Sequence, residues 1–370
     1  MIRAACTLIV VTLIVTLGTL PVVRAYALSA FILPDLLSLP WSPAVLVTGG
    51  GSVESLRFSR ADADLILPRG NQRTGGLVIT LGVRPLDKRD PVVSRFVTAL
   101  ARANVATLIV QSDRLLSGAI DPDEPLNLVE AFTFLRAHPR VDPDRVGIFG
   151  FSAGGSIAAL AAADPRIAQD VRVLVLIGAF ADARTLAAEI QSGASLQGDG
   201  SWRPWQPHPL AREVFLLGLV EDVQDPYDRA ELRRWIEDPS YRPTPTSHRA
   251  RLTRDLLDSR DAAETLRLVH ALSADAGDRL GSISPVEVGG RIHAATILLV
   301  DRSDPLVPVS HTERLREALD NQSIARHTAF DLFEHVQPNR AVPIGILARD
   351  LGLLVDAMAA MLLIVDPAGF

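Results

Sequence analysis

GIFGFSAGGS, Gly147 to Ser156, sets one serine among glycines at the end of an apolar run. A strand that ends in Gly150 and passes through x-Ser-x-Gly into a helix turns so sharply that the serine takes strained backbone angles, and only small neighbours leave it room. Gly150, Gly154 and Gly155 supply that room, and SIAALAAAD after them favours helix. The first N–H groups of such a helix have no intrahelical partner, so they would point at a charge developing beside Ser152. Glycine-rich strand-to-helix turns also serve packing alone. Reading Ser152 as a nucleophile therefore requires partners elsewhere in the chain.

Around this stretch, short apolar runs recur: GGLVITLGV at 75–83, VATLIVQS at 105–112, RVGIFGF at 145–151, VRVLVLIGAF at 171–180 and ATILLVDRSD at 295–304. Runs rich in β-branched residues without polar alternation suit strands buried on both faces of a parallel sheet. Helix signals lie between them. Asp90-Pro91 places a cap and a first-turn proline before VVSRFVTALARA, and Ser310 with Glu313 has the spacing of a capping box. The alternation predicts a doubly wound, mostly parallel α/β architecture. It stops near Ala181 and resumes near Arg291, and the interval carries mainly helical patterns and three of the four tryptophans. That interval is expected to be a helical cap inserted between two core strands. Trp202, Trp205 and Trp235, with FLLGLV, are candidates for an acyl pocket or for the cap's own small core. The last segment, IGILARDLGLLVDAMAAMLLIV, contains Arg349, Asp350 and Asp356, so it reads as a helix on the sheet rather than a membrane span.

A serine hydroxyl is a weak nucleophile near neutral pH, and it needs a histidine to take its proton and a carboxylate to orient that histidine. Asp304 lies just past the run ATILLV in a turn closed by Pro305 and Pro308, and His335 follows the next strand, roughly ARHTAFDLF. Asp301 also ends its strand and competes with Asp304. Of the other histidines, His311 reads as a neighbour of a helix cap, His293 precedes a strand and His327 falls inside one. His138, His208, His248 and His270 lack a strand-end context. None has a metal-ligand spacing, so no metal and no cofactor are expected.

The motifs GFSAGG and DPLVP, the terminal histidine loop and the order Ser152, Asp304, His335 resemble the α/β-hydrolase superfamily, most closely its esterase, dienelactone-hydrolase-like and prolyl-oligopeptidase-like branches. The resemblance runs over about 52–181 and from 291 to the C-terminus. It implies Ser152 as nucleophile, Asp304 as orienting acid and His335 as proton shuttle. The oxyanion hole it implies comes from the backbone N–H groups of Ala153 and Val83, with Gly82 the next candidate. Two features depart from the pattern: Leu81-Gly82-Val83 stands where many relatives carry His-Gly, and Glu334 precedes His335 where a small residue is common. The implied activity is hydrolysis of a carboxylic ester through an acyl-enzyme. Peptide or amide hydrolysis, acyl transfer, and a catalytically silent binding protein on the same fold are the alternatives.

The 370 residues suit one large domain with an insertion, or two domains. A net charge of −6, with the basic residues scattered among acids, makes nucleic acid an unexpected partner. A single cysteine, Cys6, excludes an intrachain disulfide framework. The uncharged stretch Ala4–Val23, between Arg3 and Arg24, is long enough to span a bilayer, while Ala25-Tyr26-Ala27 has the small residues of a signal-peptidase site. Either reading puts the remainder across a membrane, as an anchored or a secreted protein. The resulting division is 1–27 anchor or signal, 28–51 proline- and glycine-rich linker, 52–180 first part of the core, 181–290 cap, and 291–370 second part of the core.

Overall fold

The computed structural model describes residues 20–37, 52–83, 87–238, 240–275, 278–320, 323–336 and 340–365. Its apolar runs are strands because consecutive side chains bury on opposite faces of one sheet. Val78, Leu108, Ile148, Leu174 and Leu298 point into one hydrophobic layer, and Ile79, Ile109, Phe149, Val175 and Leu299 into the other. Period-two geometry with both faces covered removes the polar alternation seen in half-exposed strands.

Eight strands form the main sheet: β1 (Ser52–Arg57), β2 (Ala61–Leu67), β3 (Thr74–Thr80), β4 (Val105–Ser112), β5 (Val141–Phe151), β6 (Val173–Ile177), β9 (Ala295–Asp301) and β10 (Ile324–Phe330). Their spatial order is β1-β2-β4-β3-β5-β6-β9-β10, with β1/β2 and β2/β4 antiparallel and the remaining pairs parallel. Eleven helices of ten or more residues are described. Helices α1 (Pro21–Leu36), α2 (Pro91–Arg102) and α11 (Ile344–Val365) cover one face, and α3 (Glu124–Ala137), α4 (Ala153–Ala162) and α10 (Val309–Ala318) cover the other. The terminal segment is thus the expected helix on the sheet. At the start of α2, Asp90 accepts the Val92 N–H and Pro91 occupies the first turn, as its sequence predicts.

Between β6 and β9 lie α5 (Ala183–Ser192), α6 (Pro209–Glu221), α7 (Pro226–Glu237), α8 (His248–Asp258) and α9 (Ala262–Asp275), plus a hairpin of β7 (Ala194–Leu196) and β8 (Trp202–Pro204). The two ends of this insertion are stitched together. Ser284 Oγ accepts the Ala183 N–H at 2.9 Å, and Val286 N–H donates to the Ala181 carbonyl at 3.1 Å.

Two local readings are corrected. Ser310 and Glu313 form no capping box: Pro308 is the N-cap of α10, so Ser310 sits inside the first turn and its Oγ bonds Ser195 Oγ at 3.1 Å. The linker expected from residue 28 is helical as far as Leu36, because α1 runs through Pro34. A proline inside a helix removes one backbone bond, and here tertiary packing offsets that loss. Ile32, Ser29 and Ala25 are buried, and Asp35 pairs with Arg102 at 3.0 Å, both side chains being largely buried. Tyr26 O–H donates to Asp356, which also takes Arg326 at 2.6 Å. The anchor or signal expected over 1–27 falls mostly outside the described residues, and its Ala25-Tyr26-Ala27 end lies within α1. Among the described residues no helix is long and apolar enough to cross a membrane.

Candidate active site

β5 ends at Phe151, α4 begins at Ala153, and Ser152 alone makes the turn, at φ 54°, ψ −132°. A non-glycine residue rarely takes positive φ, and the strain is held because the turn is fixed on both sides. Ser152 N–H donates to the Ile177 carbonyl of β6 at 2.7 Å, and the Ser152 carbonyl accepts the Gly155 N–H at 2.8 Å. The flanking glycines are close-approach positions: a Cβ on Gly154 would lie 2.3 Å from the Leu81 carbonyl oxygen. The loop after β3 is therefore pressed onto the elbow, and a Cβ on Gly82 would lie 2.7 Å from Ser152 Cβ and 3.1 Å from its Oγ. Ala153, as the first residue of α4, has an N–H with no intrahelical partner. Ala153 and Val83 both line the cavity that Ser152 faces, on opposite sides of the serine along the chain.

Asp304 lies in the turn after β9. Its Oδ1 accepts the N–H groups of Leu306 (2.7 Å) and Val307 (2.9 Å), while Oδ2 is 2.6 Å from His335 Nδ1. A carboxylate only accepts, so Nδ1 carries a proton, and in the neutral imidazole the lone pair is on Nε2. Nε2 is buried and makes no hydrogen bond. His335 itself has φ 63°, a second strained residue at the same cavity. Gly178 packs beneath the pair, where a Cβ would come within 2.8 Å of the imidazole Cε1.

Asp301, the competing acid, faces elsewhere. Its Oδ1 accepts from Ser303 N–H (2.7 Å) and Arg340 (2.9 Å), and burial pushes its carboxyl pKa up. His311 is not a helix-cap neighbour but a fully buried strut: its Nδ1 accepts the Ala181 N–H at 3.1 Å and its Nε2 lies 2.7 Å from Glu189 on α5. With both nitrogens committed it has no lone pair to act as a base. His327 lies in β10 as expected. Among the described residues no group of three potential metal-ligating side chains is placed to hold an ion.

The cavity beside Ser152 and His335 measures about 930 Å³. Its walls are mainly apolar, with Phe180, Leu186, Ile190, Phe215, Leu219 and Ile283 among them, so the FLLGLV stretch of α6 does face it. None of the three insertion tryptophans lines it. Trp202 and Trp235 pack in the insertion's own core, whereas Trp205 donates its Nε1–H to the Asp304 carbonyl at 3.0 Å. Next to it, His208 N–H donates to the Pro305 carbonyl at 2.7 Å. No sequence motif signals these two bonds. Glu334 is exposed at the cavity.

Comparison with known proteins bears on the fold. No family model and no curated protein matches the sequence. Among solved structures, a 2,6-dihydroxy-pseudo-oxynicotine hydrolase superposes with TM-score 0.51 at 15% identity, covering 85% of this chain and 70% of that one. Dipeptidyl peptidase 4 of Porphyromonas gingivalis matches with TM-score 0.46 at 12% identity over 83% of this chain, and an acylaminoacyl peptidase with 0.47 at 14% over 84%. This chain spans 36% and 42% of those two proteins. The chain has the fold of the α/β-hydrolase superfamily.

Proposed function

We propose that the protein is a serine hydrolase that cleaves a carboxylic ester through an acyl-enzyme, with Ser152 as nucleophile, His335 as proton shuttle and Asp304 as its orienting acid. The observation that carries this reading is the strained Ser152 at a strand-to-helix turn, sharing a cavity with a histidine whose Nδ1 is held by Asp304 and whose Nε2 is unpartnered. In the first half-reaction His335 Nε2 takes the Ser152 hydroxyl proton as Oγ bonds the acyl carbon. The N–H groups of Ala153 and Val83 stabilise the oxyanion, each contributing about 3 kcal/mol. The tetrahedral species then collapses, the C–O bond to the alcohol breaks, and Nε2 returns the proton to the departing oxygen. Water repeats the sequence on the acyl-enzyme and frees the acid with Ser152 restored.

The test is Ser152→Ala, which should abolish turnover of p-nitrophenyl esters and labelling by a fluorophosphonate probe. Persistent labelling would show that another residue is the nucleophile. Amide or peptide hydrolysis is a second reading with one feature in its favour: Glu334 offers an exposed carboxylate at the cavity where a substrate amine would find a counter-charge. A matched ester and amide panel separates the two. An extracytoplasmic location, anchored or secreted, remains the reading of the apolar stretch Ala4–Val23, and the mass of the mature protein distinguishes the two forms.

A further inference from the structure

His335 can meet Asp304 only if two loops are held against each other, because both residues lie beyond the ends of their strands. Asp304 is in the turn after β9, and His335, at its strained φ of 63°, is in the loop after β10. A residue at positive φ keeps that conformation only where its surroundings fix it. At the start of the histidine loop, the Asp350 carboxylate of α11 accepts the N–H groups of Asp331 and Leu332 at 2.7 and 2.8 Å. At its far end, Arg340 donates its backbone N–H to the Leu332 carbonyl at 3.1 Å. The Arg340 side chain then crosses to the other loop. Nη1 donates to Asp301 Oδ1 at 2.9 Å and, at 3.5 Å, to the Asp331 carbonyl, while Nη2 donates to the Ser303 carbonyl at 3.5 Å. Asp301 Oδ1 also accepts the Ser303 N–H at 2.7 Å. One side chain is thus bonded to the loop that carries His335 and to Ser303, the neighbour of Asp304.

A second ion pair joins the same two loops, Arg302 to Asp331 at 2.8 Å. It lies at the surface, with the Arg302 side chain 45% exposed, and such pairs fix little because water and side-chain entropy compete with them. Asp301 is different: its side chain is fully buried and its Oδ2 has no hydrogen-bond partner. An apolar residue would fill that position at lower cost than a desolvated carboxylate, so packing alone does not account for an acid there. What the pair adds is direction. A guanidinium presents its N–H groups in a rigid planar fork, so bonds to Asp301, Ser303 and Asp331 constrain the angle between the two loops as well as their separation.

We propose that Arg340, anchored on Asp301, is a positioning residue that holds His335 Nδ1 on Asp304 Oδ2. The role rests on the hydrolase reading above for its effect on turnover, but the contact it controls can be observed without turnover. In the full-length protein the His335 Nδ1–H held on Asp304 should give a proton resonance far downfield of the amide region, identified by its loss in His335→Gln. Arg340→Gln should abolish or weaken this resonance. Arg340→Lys should keep part of it, because an ammonium restores the charge beside Asp301 without the fork, and Arg302→Gln should leave it unchanged. Ester turnover per fluorophosphonate-titrated site, which removes any unfolded fraction from the rate, should follow the same order. In Arg340→Gln kcat should fall by about tenfold or more with KM within about twofold of the wild type, since small displacements at a reacting centre are costly. The double variant Asp301→Asn, Arg340→Gln should be no slower than Arg340→Gln alone, because the two residues act as one unit. A wild-type resonance and kcat in Arg340→Gln, or an equal loss in Arg302→Gln, overturns the positioning role. If Arg340→Gln does not fold, Arg340→Lys takes its place in the comparison, and a wild-type resonance and kcat there overturn the role. Absence of turnover and of labelling in the wild type, with the resonance lost in Arg340→Gln and kept in Arg302→Gln, would instead overturn the hydrolase reading and leave the positioning role standing.

Discussion

His335 and Asp304 are joined at 2.6 Å through Nδ1 and Oδ2, and the opposite ring nitrogen of His335 is buried without a partner. The bond fixes the tautomer that leaves a lone pair on Nε2. Asp304→Asn keeps the shape of the turn but can present an amide N–H to Nδ1, which then becomes the acceptor and moves the proton to Nε2. Turnover should fall by roughly 10⁴-fold in kcat with little change in KM. A loss below about tenfold in steady-state ester kinetics would show that Asp304 does not set the tautomer.

Gly82 lies against the elbow so closely that a methyl group there would press on Ser152. Gly82→Ala should leave the far-ultraviolet circular dichroism spectrum unchanged, because the residue is outside the strands. The rate of fluorophosphonate labelling should nevertheless drop by at least about tenfold, since small displacements at a reacting centre are costly. Wild-type labelling kinetics in this variant would mean that the loop after β3 can retreat.

Ile32 is fully buried between α1 and the rest of the fold. Truncation to alanine should lower the free energy of unfolding by about 3 kcal/mol, as for other large-to-small changes in a packed core. Urea denaturation of Ile32→Ala reads this directly. An unchanged midpoint would show that α1 contributes nothing to the domain's stability.

Glu124 is buried at the start of α3, where Ser112 O–H and Asn127 N–H donate to it at 2.8 and 3.0 Å. Burial nevertheless pushes its pKa above the ordinary value, against the pull of those two bonds. A carboxyl with a raised folded-state pKa binds more protons folded than unfolded, so its contribution to stability is lost as pH rises from the unfolded pKa through the folded one. Glu124→Gln removes the charge, its carbonyl still accepting the Asn127 N–H while its NH2 donates to Ser112 Oγ, whose hydroxyl reverses its role. Its stability gain over the wild type should be absent in acid and grow through that pH window to a plateau near neutrality. Denaturation curves across the window give the difference, and a gain that shrinks with rising pH contradicts the assignment.

The site was more legible in the sequence than the chain's N-terminal part. Ser152, Asp304 and His335 each follow an apolar run that makes a parallel strand, so position at a strand end could be read without knowing the packing. Strand β1 leaves no apolar run to detect because SVESLR lies at the sheet edge and is mostly exposed, and β2 leaves only a short one because ADADLIL opens with Asp62 and Asp64 alternating with alanine. Residues 28–36 read as linker because Pro34 breaks helices by local preference, whereas burial against α2 and α11 decides the outcome here.

The insertion does more than wall the cavity. Through Trp205 and His208 it holds the backbone of Asp304 and Pro305, the turn that carries the proposed orienting acid. Exchanging this segment for one of different pocket shape would loosen that turn at the same time. In the proposed hydrolase, selectivity and reaction rate would therefore be mechanically linked, and variants that broaden the one without restoring those two bonds should pass through a slower intermediate.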